Sequence, residues 1–184
     1  MSAGAHLNDA LAAESEAFEE LMAGRPAGDA LERARRAYLA SHAESGSRSW
    51  GRLVGALKMA ILAGDEVVET ARLAIAETDG VEPTASTAYA RALAQVALGE
   101  EPEVGPMLDA GEAFERTGRA LQALGDRDQA AYGGALREIV ADFESRESHL
   151  SGVAIADTAL VLERLAGERG IAVHPATVLL PATA

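Results

Sequence analysis

The sequence predicts an all-α protein: an irregular stack of about eight helices packed as antiparallel pairs, tetratricopeptide-like or bundle-like in arrangement. Three observations predict it. Apolar residues make up 48% of the chain but aromatics only 4%. Most of that apolar share is alanine and leucine, which are strong helix formers, whereas a sheet protein would need far more Val, Ile, Thr and Tyr. Apolar residues recur at helical spacing almost everywhere. Finally, an "apolar, Gly, acid" signal appears at Leu62-Ala63-Gly64-Asp65, Leu98-Gly99-Glu100 and Leu124-Gly125-Asp126, each suited to ending one helix and starting the next. The spacings between these signals are unequal, so a regular solenoid is not expected. A length of 184 residues suits one domain, 1–184, with a sizeable core.

The elements follow in order. Leu7, Leu11, Phe18 and Met22 share one face of a first helix, ended by Gly24-Arg25-Pro26. Leu31, Ala34 and Tyr38 define a second, expected to dissolve into a flexible Ser/Gly-rich loop at 41–49. Trp50, Leu53, Val54, Leu57 and Ile61 mark a third. Gly64 stops it, and Asp65 is placed to cap a fourth carrying Val68, Ala71 and Ile75. Residues 79–83 form a turn, and Thr84 is the expected N-cap of a fifth helix with Tyr89, Leu93 and Val96. An acidic connection, Gly99 to Pro106, leads to a sixth helix lined by Met107, Phe114, Leu121 and Leu124 and closed by Gly125-Asp126. Tyr132, Leu136, Ile139, Val140 and Phe143 line a seventh, in which Gly133-Gly134 permits close packing or a bend. The last helix is expected from about Val153 to Glu168, apolar on nearly all sides over its first half and therefore buried. Gly170 ends it, and the tail 171–184 is apolar enough to dock back onto the core.

Composition also excludes whole classes of chemistry. The chain has no cysteine, so disulfides, thiolate nucleophiles and cysteine-based metal centres are out. The formal net charge of −13 repels nucleic-acid phosphates and anionic lipid heads and would attract a basic partner; it also simply keeps a protein soluble. Met1 to Leu11 has neither a basic n-region nor an apolar h-region, and no run approaches a membrane span, so the expected location is the cytoplasm. No H-E-x-x-H or Glu-x-x-His occurs, and His6, His42, His149 and His174 are scattered, so no metal or cofactor is expected. The stretch Gly51 to Lys58 has a superficial likeness to a phosphate loop. It lacks the Gly-Lys-Ser/Thr ending and lies inside a helix, so Gly51 and Gly55 are read instead as points of close helix approach. No G-x-S-x-G elbow surrounds Ser47 or Ser49.

Two features survive this search. Asp157 stands alone in the apolar run Val153 to Leu162, and burying a carboxylate is costly unless it is paired. It is either a general base or ligand contact in a pocket, with His149 or Tyr132 beside it, or a carboxylate at a helix N-terminus bonded to amides or to a neighbour's arginine; the second is preferred. His149, following Glu144 and Glu147, is read as a cation favoured by a helix C-terminus. The second feature is the distribution of acid. Asp9, Glu14, Glu16, Glu19 and Glu20 load the first helix, while Glu100, Glu101, Glu103 and Asp109 load one connection and the helix after it. Such a run is either a solvated face or a docking surface for a cationic partner.

The stretch Ala123 to Ala130, Ala135-Leu136-Arg137-Glu138, a buried helix, then Arg169-Gly170-Ile171-Ala172-Val173 and Leu179-Leu180-Pro181, together resemble immunity protein family 49 of bacterial polymorphic toxin systems. The resemblance covers the C-terminal third. It implies an all-helical cytoplasmic protein that binds and neutralises a partner toxin without catalysis of its own; the charge pattern, separately, makes Glu100, Glu101, Glu103 and Asp109 the candidate contacts to a basic one. Leu179 stands where that family usually has a tyrosine. The Ala-, Arg- and Gly-rich composition also resembles that of high-GC actinobacterial proteins, among which such helical proteins can sit beside biosynthetic genes. Three functional classes are therefore open: a protein-binding module of the immunity type, a small helical enzyme or small-molecule-binding protein with Asp157 in its pocket, and a helical scaffold. A pocket lined by Asp157 would favour the second, and a broad acidic concave face the first.

Overall fold

A computed structural model describes residues 2–45 and 49–182. Among these residues it is all-helical, with nine helices in a packed stack: α1 (Ala3–Met22), α2 (Gly28–Glu44), α3 (Trp50–Ala63), α4 (Val67–Thr78), α5 (Ala85–Leu98), α6 (Gly105–Leu108), α7 (Glu112–Asp126), α8 (Gln129–Glu144) and α9 (Asp157–Arg169). The pairs α1/α2, α4/α5 and α7/α8 pack side by side across short connections. The nine helices vary from 4 to 20 residues in length, so no structural repeat emerges. No helix among the described residues is long and apolar enough to cross a membrane.

α3 is the axis of the stack, and its sequence explains why. Its mean composition is the most apolar of the helices, and Leu53, Leu57, Met59, Ala60 and Ile61 are all buried, as expected of a helix surrounded by others. Its two faces serve two cores. Leu53, Leu57 and Ile61 join the larger core, built with α4, α5 and α7–α9. Ala56 and Met59 join a smaller one made with α1 and α2, to which Ile155 and Leu160 also belong. α9 is divided in the same way, sending Val161 and Leu162 to the first core and Leu160 to the second. The seam between the cores thus runs along α3 and the start of α9.

Several expected boundaries move, each for a local reason. α2 does not dissolve at Ser41 but continues to Glu44, because Ser41 and His42 have partners. The Ser41 hydroxyl donates to the Ala3 carbonyl at 2.7 Å, Arg52 donates to the Ser41 carbonyl at 3.0 Å, and His42 Nδ1 meets Ser49 Oγ at 3.0 Å. The rest of the expected loop, including Ser47, falls at 46–48, outside the described residues. Asp65 does not cap α4 but bonds the amide of Glu66, which adopts φ 53° and is itself the cap. Thr84 does cap α5, in a reciprocal pair with Thr87.

Met107 lies not on the long helix but on the separate single turn α6. Gly64, Gly99 and Gly170 end their helices in the left-handed conformation as expected, but Gly125 does not; Arg127 carries φ 55° instead. Gly125 answers a different need, since a Cβ there would lie 2.6 Å from Cδ of Pro102. Likewise a Cβ on Gly55 would lie 2.9 Å from the Tyr38 ring, whereas Gly51 has open space around it.

The last helix starts at Asp157 rather than Val153. Gly152, at φ 74°, interrupts the chain before it, and the Ala156 amide donates to the Leu179 carbonyl at 2.9 Å. The tail does dock, with Ile171 and Leu179 buried, but Val178 is 85% exposed. Residues 183–184 of the expected docked tail lie outside the described residues.

Candidate functional site

Asp157 lies where the two cores meet, at the first residue of α9, and it faces Lys58 of α3. The Lys58 ammonium donates to Asp157 Oδ2 at 2.6 Å and to Thr158 Oγ1 at 3.0 Å. Neither an amide nor an arginine is its partner, contrary to expectation. Lys58 sits on the most apolar helix, where its side chain is only 12% exposed. Burial alone would lower its pKa. Asp157 at hydrogen-bond distance, with Glu14 nearby, overcomes that and holds the pKa above the usual lysine value. Lys58 is therefore a fixed ammonium and not an amine nucleophile.

Glu14 of α1 and Tyr38 of α2 complete the polar group. The Tyr38 hydroxyl donates to Glu14 Oε2 at 2.9 Å, and both residues are buried. Burial pushes the Glu14 carboxyl above its ordinary value; Asp157 adds to the rise, while the Tyr38 bond and Lys58 partly offset it. Burial and the same carboxylate raise the Tyr38 phenol, which stays a donor. Gly55 is what allows this arrangement, since the Tyr38 ring occupies the space a side chain there would need.

These groups line one cavity of about 260 Å³ between α1, α2, α3, the 145–156 loop and the start of α9. Phe18 and Phe143 supply apolar wall. His149 lines it as well, with its ring stacked on Phe143 at 6.2 Å between centroids. α8 ends five residues earlier, at Glu144, so His149 is not the helix-end cation expected. Its Nδ1 is buried without a hydrogen-bond partner among the described residues, which is unusual for a native interior. Leu150, at the rim, is 94% exposed.

The remaining expected residues stand elsewhere. Tyr132 is buried, but its hydroxyl donates to Glu163 Oε1 at 2.8 Å, away from Asp157. Glu163 also accepts from the Val173 amide at 3.2 Å and the His174 amide at 2.7 Å, so this trio fastens the tail. Glu100, Glu101, Glu103 and Asp109 are exposed. Glu103 is nevertheless structural: its amide donates to Gln95 Oε1 at 2.9 Å, and its Oε2 lies 3.3 Å from Arg91 Nε, an ion contact without hydrogen-bond geometry. Larger clefts, about 370 and 430 Å³, lie along α7/α8 and beside the tail. The 260 Å³ cavity is distinguished from them by four buried or half-buried titratable groups from four different helices.

Sequence reasoning found Asp157 and His149 but missed Glu14, Tyr38 and Lys58. Glu14 shares the stripe of Ala10, Ala17 and Phe18, at spacings of three and four, and so falls on the buried face of α1. Lys58 is the lone charge between Leu53 and Ala63. Among the described residues no three His, Asp or Glu side chains converge as a metal site would need. Compared with protein-family models, with curated proteins and with solved structures, the chain matches none.

Proposed function

We propose that the protein binds a small molecule in the cavity between its two cores, with Glu14 as the group that exchanges a proton with it. The observation that supports this most is the convergence of Glu14, Tyr38, Lys58 and Asp157 on one concave space. Buried charge is expensive, and convergent polar groups with displaced pKa values in an apolar-walled pocket mark sites. The roles divide by chemistry. Lys58 is a permanent positive charge held by Asp157 and Thr158. Tyr38 is a fixed donor. Glu14, its carboxyl raised by burial and its Oε1 free of hydrogen bonds among the described residues, is the group best placed to exchange a proton. His149 offers a buried ring nitrogen without a partner.

Equilibrium dialysis against a mixture of small metabolites, read by mass spectrometry, tests this. Wild type should retain at least one compound, and Glu14→Gln should lose most of that retention while still folding, because the amide oxygen can still accept from Tyr38. Retention that is absent, or identical in the two proteins for every compound, would remove this reading.

A second reading keeps one specific observation in its favour. Glu100, Glu101 and Asp109 are exposed and have no ion-pair partner among the described residues, which suits electrostatic docking of a basic protein such as a toxin domain. Reversing Glu100 and Glu101 to Lys, with Glu103 left to hold Arg91, should slow association with such a partner and flatten its salt dependence. Unchanged association kinetics would end this reading without touching the pocket.

A further inference from the structure

A second, smaller cavity of about 160 Å³ adjoins the first. The two share Phe143, Arg146 and Thr158 as lining residues, so they lie side by side. They differ in charge. At the Glu14 end, two carboxylates, Glu14 and Asp157, face the Lys58 ammonium, the shared Arg146 being paired with Asp142, and Glu14 Oε1 has no hydrogen bond among the described residues. At the other end, two guanidiniums share one carboxylate. Arg116 Nη2 donates to Asp142 Oδ1 at 2.7 Å, and Arg146 Nη2 donates to Asp142 Oδ2 at 2.5 Å. Glu112 also reaches Arg116, at 3.2 Å, but its side chain is 89% exposed and water screens it. Between the ends, the wall is the Phe143 ring, with the Arg146 guanidinium stacked on its face at 3.7 Å.

We infer that the two cavities join to take a small zwitterion, with its ammonium at Glu14, its carboxylate at the Arg116–Arg146 pair, and an apolar stretch passing the edge of the Phe143 ring. The inference rests on the small-molecule reading above and names its ligand class. An ammonium at Glu14 supplies the charge that end lacks, and His149 Nδ1 can accept a second of its protons when the imidazole is neutral. The cost that burial imposes on the Glu14 carboxylate falls when a cation enters beside it. At the far end the guanidinium forks match a carboxylate in plane and spacing. Lys58 does not serve there, because it lines the first cavity only, held by Asp157 and Thr158.

Isothermal titration calorimetry with the ω-amino acids from 4-aminobutyrate to 8-aminooctanoate tests the inference, with hexylamine and hexanoate as singly charged controls. At least one amino acid of the series should bind wild type tenfold or more tighter than both controls. Glu14→Gln should reduce that compound to the affinity of hexanoate, and Arg146→Gln should reduce it to that of hexylamine. If a control binds as tightly as every zwitterion, or if none of the series binds, the inference fails. Metabolite retention lost in Glu14→Gln would still stand in that case, so failure here is distinct from failure of the pocket itself. Should a variant not fold, the wild-type comparison between zwitterions and controls decides alone.

Discussion

Asp157→Ala should lower the melting temperature by about 6–12 °C, the shift that about 3 kcal/mol produces in a protein of this size. The change removes the partner of a largely buried ammonium, leaving Thr158 Oγ1 as its one remaining hydrogen-bond acceptor among the described residues. The low end of the range for broken buried pairs applies, because the Asp157 side chain keeps 23% of its exposure. Lys58→Met should cost a similar amount, but with a different dependence on pH. It leaves Glu14 and Asp157 without the cation that partly offsets their burial, so the already raised pKa of Glu14 rises further. A carboxyl with a raised pKa in the folded state binds its proton more tightly there than in the unfolded chain. Its contribution is therefore present at low pH and is lost as pH climbs from its ordinary value, 4.5, through the raised one. Lys58→Met should accordingly melt closer to wild type at pH 5 than at pH 8. The double change, Lys58→Met with Asp157→Asn, strands no full charge at that pair and should be more stable than either single variant. Thermal melts of the four proteins at the two pH values check this. If Asp157→Ala melts with wild type, the ion pair does not exist in the folded protein.

That ion pair also shows how far the sequence could be read. Asp157 and Lys58 are each the lone charge in a strongly apolar stretch, yet only Asp157 stands out as a candidate site, Lys58 being passed over at the end of a rejected phosphate-loop likeness. Their complementarity in charge is visible in the sequence, but not their adjacency, because 99 positions separate them. Helix type and most helix ends followed from periodicity and from Gly, Pro and Thr signals, which act over a few residues, while the additional helix, the single turn α6, did not. The boundaries that moved did so where a long-range contact outweighed the local signal. Gly125 reads as a helix end until Pro102 is seen beside it. Ser41 and His42 read as loop until Ala3, Arg52 and Ser49 supply partners. Glu14 was counted with the acidic surface of α1 because charge was summed along the chain. Its place in the Ala10–Ala17–Phe18 stripe, which a face-by-face reading would have caught, puts it inside.

Deleting the residues after Gly170 should be the most damaging single alteration, lowering the melting temperature by about 12–36 °C. Two costs add. Ile171 and Leu179 lose their burial, worth about 1.5–3 kcal/mol each. Glu163, only 4% exposed, loses the amides of Val173 and His174 and keeps the Tyr132 hydroxyl alone, a stranded carboxylate costing on the order of 3 kcal/mol. Together these approach the whole stability of an ordinary domain. The second cost can be isolated, because it should reverse sign with context. In the full chain, Glu163→Leu with Tyr132→Phe removes the acceptor that holds the tail and leaves two amides without it, so the protein should melt lower than wild type. In the tail-deleted chain, the same two changes remove a stranded carboxylate and its single donor together, which apolar replacement of both partners renders neutral or favourable. The tail-deleted double variant should therefore melt higher than the tail-deleted parent. Differential scanning calorimetry on the four proteins measures both differences. A double change that lowers the melting temperature by the same amount in both backgrounds would mean that Glu163 packs the core without fastening the tail.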